Sequence, residues 1–196
     1  GVLRDYEAAV RYFEQARQFL PGSSRIPEWL AYVARRRGQW ELSETYFNQA
    51  ERLDPRNVGL LTQHAFTYAE RRLFPEAQQK FDQILKIVPD DVDTLVRKAR
   101  LAQAEGDLPR AAALLAPLHP TSNNPGNFWE TQIYQAILER RPVPVASGLQ
   151  ELLAKHDPET RCLLGWAQEF GSGHAAAQEN WRQARSELEA DLEEQP

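Results

Sequence analysis

The chain of 196 residues holds a single cysteine, Cys162, which excludes an internal disulfide framework and a cysteine-built zinc site. No run approaches the roughly 18 consecutive apolar residues of a membrane span. Ten glycines and no recurring Gly/Asn turn dipeptides argue against an all-β chain. A strong charge of either sign is missing too: 23 basic and 28 acidic residues leave a net of −5. Residues 1–110 carry 17 Lys/Arg against 16 Asp/Glu, and residues 111–196 carry 6 against 12. A body this close to neutral is no polyanion binder, because non-specific nucleic-acid affinity comes from neutralised phosphates. There is no phosphate loop, nucleophile elbow or paired-carboxylate motif. The four histidines, His64, His119, His156 and His174, are not spaced as metal ligands. What is present is 42% hydrophobic residues with 5 Trp, 6 Tyr and 8 Phe, the composition of a soluble globular domain.

A period organises that composition. Pro21, Pro55 and Pro89 are 34 residues apart, and so are Phe13, Phe47 and Phe81. Ala16, Ala50 and Ile84 keep the spacing, as do Ala9, Ser43 and Ala77, and Tyr6, Trp40 and Phe74. One period further come Leu108, Ala111, Leu115 and Leu118, with Asn123 in the place of the proline. Within the repeat Ser24–Asn57, Leu30, Ala31 and Ala34 form a helical stripe, and Gly38 breaks the helix. Trp40, Ser43, Phe47 and Ala50 recur at three- and four-residue steps, a second amphipathic helix that Pro55 ends. Small residues (Ala31, Ser43, Ala50) let two helices approach, and large ones (Leu30, Trp40, Phe47) fill the space between neighbours. One such pair cannot bury its own stripe, so pairs must stack.

This pattern resembles the tetratricopeptide repeat, a family of 34-residue helix–turn–helix units. The resemblance rests on the repeats 24–57 and 58–91, with Leu61, Ala65, Tyr68, Phe74, Ala77 and Phe81 in the second of these. It extends to Leu95, Ala99, Gly106, Leu108 and Ala111 in 92–125. It implies an all-α solenoid of helical pairs, a right-handed superhelix of about five and a half repeats. Residues 1–23 form a partial repeat holding only a second helix. Beyond Pro120 the frame weakens, and Thr121–Asn127 reads as a loop. A degenerate fifth repeat, 126–157, is expected to pair a helix at Asn127–Arg140 with one at Val145–Lys155. A sixth, 158–196, has the Leu164–Gly165 pair of a first helix and a turn at Gly171–Gly173. Its long last helix is expected near His174–Glu194. Both ends fall near frame boundaries, so the whole of 1–196 reads as one solenoid cut from a longer array.

In this family the first helices line a concave face that binds peptides. Carried onto this chain, the groove positions are Arg25, Glu28, Trp29, Tyr32, Arg35 and Arg36 in the second repeat and Gln63, Phe66 and Glu70 in the third. The fourth gives Arg97, Arg100 and Gln103, the fifth Gln132 and Gln135, and the sixth Cys162 and Trp166. Aromatics beside arginines are the usual composition of a binding anchor. The competing reading is that they cover adjoining helices. The Lys/Asn clamp by which co-chaperone repeats hold a chaperone's terminal carboxylate is absent: those positions read Glu28/Tyr32, Thr62/Phe66 and Val96/Arg100. His64 falls on an inward position and reads as a satisfied core histidine. Arg35–Arg37 suit the last turn of a helix, and the acids of 187–194 a solvated face.

The expectation is therefore a protein-interaction scaffold with no catalytic residues, no metal and no cofactor. Its style resembles bacterial repeat arrays attached to cyclase, kinase or winged-helix regulator domains, which implies a regulatory or assembly module of a larger cytoplasmic or periplasmic protein. Its partner is a protein or peptide, not nucleic acid, and nothing in it inserts into a membrane. One alternative is a ligand sensor or enzyme with a pocket near Trp166 and Cys162. Another is a self-association module that pairs copies into a homo-oligomer through the open aromatic face at Tyr6 and Phe13.

Overall fold

A computed structural model describes residues 5–120, 125–142, 149, 153–154, 158–171 and 173–193. The described residues are all helical or in turns, with no strand. The chain divides into two compact bodies, Gly1–Asp90 and Asp91–Pro196. The first holds α1 (Tyr6–Phe19), α2 (Arg25–Arg36), α3 (Trp40–Leu53), α4 (Val58–Glu70) and α5 (Phe74–Ile87). The second holds α6 (Val92–Glu105), α7 (Leu108–Leu115), α8 (Pro125–Glu139), α9 (Pro158–Gly171) and α10 (His174–Glu193). Antiparallel neighbours α2/α3, α4/α5, α6/α7 and α9/α10 form the helical pairs, and α1 packs on α2 as the partner-less second helix of its repeat.

The small positions let each pair close. Ala31, Ala65 and Ala99 are fully buried opposite Ser43, Ala77 and Ala111, also fully buried. The Ser43 hydroxyl donates to the Ala31 carbonyl at 2.9 Å, a contact that the absence of bulk permits. In α9 the same place is taken by Gly165, and a Cβ there would lie 2.3 Å from Trp181 Nε1. Phe47 and Phe81 fill the space between pairs at 0% and 1% exposure. Each meets an aromatic of its own first helix edge-on, Tyr32 at 5.7 Å and Phe66 at 6.4 Å. Phe13 has no such partner and is half-buried, stacked on Trp29. The exposed aromatics of α1 are Tyr12 and Phe19 rather than Tyr6 and Phe13.

The helix ends repeat as faithfully as the core. Asn57 and Asp91, one period apart, cap α4 and α6 by accepting from the N–H of Leu60 and Thr94. The first helices α2, α4, α6 and α8 each end in a residue of positive φ: Gly38 (71°), Arg72 (59°), Gly106 (82°) and Arg140 (53°). These four are spaced by 34, so the frame runs on through the fifth repeat. The following N–H always reaches back five residues: Gln39 to Ala34, Leu73 to Tyr68, Asp107 to Ala102 and Arg141 to Ala136, at 2.9 to 3.0 Å. This is the Schellman closure of a helix C-terminus.

The C-terminal repeats depart from expectation in detail. α8 begins at Pro125, two residues before the expected start, since proline in a first turn forgoes no intrahelical bond. Phe128, Trp129 and Ile133 are buried as expected, with Ile137 packed beside them. α7 has only 8 residues, ending ahead of Pro117. Of the expected helix 145–155, only Leu149, Leu153 and Ala154 are described, all helical, with Leu149 fully buried; the rest, like His156, Ser172 and residues 194–196, lies outside the described residues.

Candidate functional site

In the first body, the exposed faces of α1 and α2 and the edge of α4 enclose a cavity of about 540 Å³. Tyr6, Phe13, Trp29 and Tyr32 supply its aromatic wall; Arg35, Arg36 and Gln63 stand along it. Trp29 is the pivot: 48% exposed, stacked on Phe13 at 6.0 Å and edge-on to Tyr32 at 6.1 Å. Its ring is thus held from two sides while half its surface faces outward. Tyr32 donates its hydroxyl to Glu28 one turn earlier. Burial and that hydrogen bond raise the Tyr32 hydroxyl above the ordinary tyrosine range, so it stays a donor. The Arg35 guanidinium sits 5.5 Å from the Tyr32 ring centroid.

Five groove positions of the sequence therefore line one cavity: Trp29, Tyr32, Arg35, Arg36 and Gln63. Several groove positions, including two of these five, are also engaged within the chain. Arg35 does not turn back on the last carbonyls of α2. Its guanidinium donates to the Gln63 carbonyl (3.4 Å), the Gln63 side chain (3.3 Å) and Thr67 Oγ1 (3.2 Å), fastening α2 to α4. Tyr32 and Phe66 pack on the Phe of their own repeat, so they do serve internal packing. Arg25 and Glu70 are exposed at opposite ends of α2 and α4.

In the second body, two groove positions are corrected by burial. Gln103 is 7% and Gln135 1% exposed, so neither presents a side chain to a partner. Gln103 Nε2 donates to the Thr131 carbonyl at 3.1 Å and to Gln135 Oε1 at 2.9 Å. Gln135 in turn donates to the Leu108 carbonyl and to Glu139. The offsets match those of Arg35: the same frame position reaches the carbonyl 28 residues on and the side chain 32 residues on. Both residues are joints between successive first helices. Arg100 pairs with Glu130 at 2.7 Å and donates to Thr131 Oγ1 at 2.9 Å, so a carboxylate of the chain itself already engages this groove position. Gln132 is half-buried on α8, and Arg97 is half-buried on α6. Trp166 is 51% exposed, stacked on Phe170 and edge-on to Trp181, whose Nε1 donates to the Cys162 carbonyl. The Cys162 thiol is free and half-buried.

His64 is fully buried, with its ring stacked between Phe47 (4.9 Å) and Tyr68 (4.6 Å). Its Nδ1 lies 2.5 Å from Glu51 Oε1, and Lys80 Nζ lies 2.6 Å from the other Glu51 oxygen. Only half of the expected satisfaction is met, since Nε2 has no hydrogen-bond partner. Burial works to raise the Glu51 carboxyl, but the bonds from His64 and Lys80 outweigh it and hold the group below the usual range. This cluster ties α3, α4 and α5 together inside the first body. Among the described residues no three of His, Cys, Asp and Glu converge as metal ligands, and no helix is long and apolar enough to cross a membrane.

Solved structures share this fold. A tetratricopeptide repeat protein from Parabacteroides merdae ATCC 43184 superposes with a TM-score of 0.65 at 12% identity, covering 98% of this chain and 74% of its own. PilW, a widely conserved type IV pilus biogenesis factor, gives 0.66 at 19% identity over 85% of this chain and 78% of its own. BtubC from P. vanneervenii gives 0.58 at 13% identity over 98% and 77%. No protein-family model and no curated protein matches the chain. The chain has the tetratricopeptide-repeat fold; at these identities the likeness speaks to the fold alone.

Proposed function

We propose that this chain is a non-catalytic protein-interaction module that takes an apolar or aromatic side chain of a peptide segment into the α1/α2 cavity. One observation carries the reading: Trp29 is braced by Phe13 and Tyr32 yet half exposed, in a cavity with arginines at its edge. A braced aromatic loses little freedom on binding, so its buried area converts into affinity. Arg36, exposed beside it, suits an acidic residue next to the anchor. The type IV pilus biogenesis factor among the similar folds fits an assembly role, and the chain would act as a regulatory or assembly module of a larger bacterial protein.

The test is a peptide display selection against the full chain, followed by anisotropy titration of the selected peptides. Trp29→Ala should abolish binding while leaving the melting temperature nearly unchanged, and Arg36→Glu should select against acidic peptides. Selected peptides that bind Trp29→Ala as well as the parent chain would overturn the reading.

A further inference from the structure

A second cavity of the first body lies elsewhere. About 620 Å³ opens between α3 and α5 at the start of α4, lined by Arg52, Pro55, Arg56, Leu61, Lys86 and Ile87, among others. Leu61 and Ile87 make an apolar floor, and Arg52, Arg56 and Lys86 stand around it. Arg52 and Lys86 sit in the last turns of α3 and α5, where the terminal carbonyls favour a cation. That explains their place in the chain but supplies no counter-charge. The carboxylates nearby are already engaged: Glu51 by His64 and Lys80, Asp54 by Asn57. Among the described residues no ion pair is made by Arg52, Arg56 or Lys86. A cationic rim over an apolar floor therefore sits on a chain whose net charge is −5.

The complement is present in the same sequence. The last residue of α10 to be buried is Ala184, and Glu187 turns inward to Arg161. Beyond them Leu188 and Leu192 are 46% and 69% exposed, one turn apart on a single face. Glu189, Asp191 and Glu193 surround that face, all exposed. Among the described residues only Glu189 of these has a cation, the exposed Arg185 four residues before it.

We propose that the acidic end of α10 in one copy docks into the α3–α5 cavity of a second copy, with Leu188 and Leu192 on Leu61 and Ile87 and the carboxylates among Arg52, Arg56 and Lys86. The contact joins unlike surfaces. It either closes reciprocally into a dimer or continues head to tail. Its charged part is exposed and so is screened by salt.

The test is sedimentation equilibrium of the full chain across protein concentration. At about 0.01 M ionic strength, where charges reach about 30 Å, the mean mass should rise with concentration; at about 1 M, where they reach about 3 Å, it should fall back toward the monomer. R52E/K86E and E189K/D191K should each remain monomeric at low salt. An equimolar mixture of the two should associate again, because each cavity then meets an oppositely charged helix. Trp29→Ala should leave this association unchanged, which separates it from peptide binding in the α1/α2 cavity. A monomer at every concentration, or association that survives both charge reversals, overturns the proposal; the latter result would place the contact at another face, such as Tyr12 and Phe19 of α1. So does a monomeric chain whose melting temperature rises with inorganic phosphate only when Arg52 and Lys86 are intact, which would make the cavity a small-anion site.

Discussion

Arg72 and Arg140 occupy a backbone conformation that the frame elsewhere gives to glycine, and replacing them should stabilise the protein. Their φ values of 59° and 53° crowd an L side chain against its own carbonyl. That strain costs about 1–2 kcal/mol per residue. Glycine relieves it but returns about 0.4–1 kcal/mol through the greater freedom of the unfolded chain. The net expectation is about 0.5–1 kcal/mol per site. Both side chains are exposed, so little packing is lost with them. The reverse change calibrates the argument: a Cβ on Gly38 or Gly106 meets nothing within 4 Å, so Gly38→Ala and Gly106→Ala register backbone strain alone. Melting followed by circular dichroism should place R72G/R140G roughly 4 °C above the parent, at about 2–4 °C per kcal/mol for a chain of this size. Gly38→Ala, a single site, should fall below the parent by roughly 2 °C. A double variant that melts lower, with Gly38→Ala neutral or higher, would refute the reasoning, since the Schellman turn would then not be held against a φ penalty.

Phe47→Ala or Phe81→Ala removes a fully enclosed ring and should cost about 3–5 kcal/mol in urea denaturation, against under about 1 kcal/mol for Trp29→Ala. Gly165→Ala drives a methyl into the Trp181 indole and should cost about 1–3 kcal/mol, much of it recovered by adding Trp181→Ala, as a double-mutant cycle would show. Glu51 has its folded carboxyl below the ordinary range, so its contribution is fully present above that range and is lost as pH falls from it through the lower folded value. Melting between neutral pH and about pH 3 should therefore decline more steeply for the parent than for Glu51→Gln, with the excess confined to the acid limb.

The core was legible because its signal is periodic within each repeat. Phe47, Phe81, Ala65 and Ala77 sit where a 34-residue frame and a helical stripe put them. The joints were not, because their partners lie on the next repeat. Arg35 and Gln103 look like groove residues on their own helix, and only the offsets of 28 and 32 to Gln63, Thr67, Thr131 and Gln135 show what they hold. Those offsets pair polar residue with polar residue, which hydrophobic pattern analysis does not register. Arg72 and Arg140 were hidden for a related reason: arginine carries no turn signal, so the continuation of the frame past Asn123 was visible only in backbone angles. Thr121–Asn127 reads as a loop, yet the helix starts within it at Pro125.

The two joints are built to yield differently. Arg35 is part-buried and holds its neighbours through long contacts of 3.2–3.4 Å that water can replace one at a time. Gln103 and Gln135 are buried and linked in an amide chain, so opening it strands buried members together. Under mild denaturant or tension, the seam between α2 and α4 should breathe in small steps while that between α6 and α8 gives way all together. Amide exchange along these helices would then read as graded at one seam and cooperative at the other.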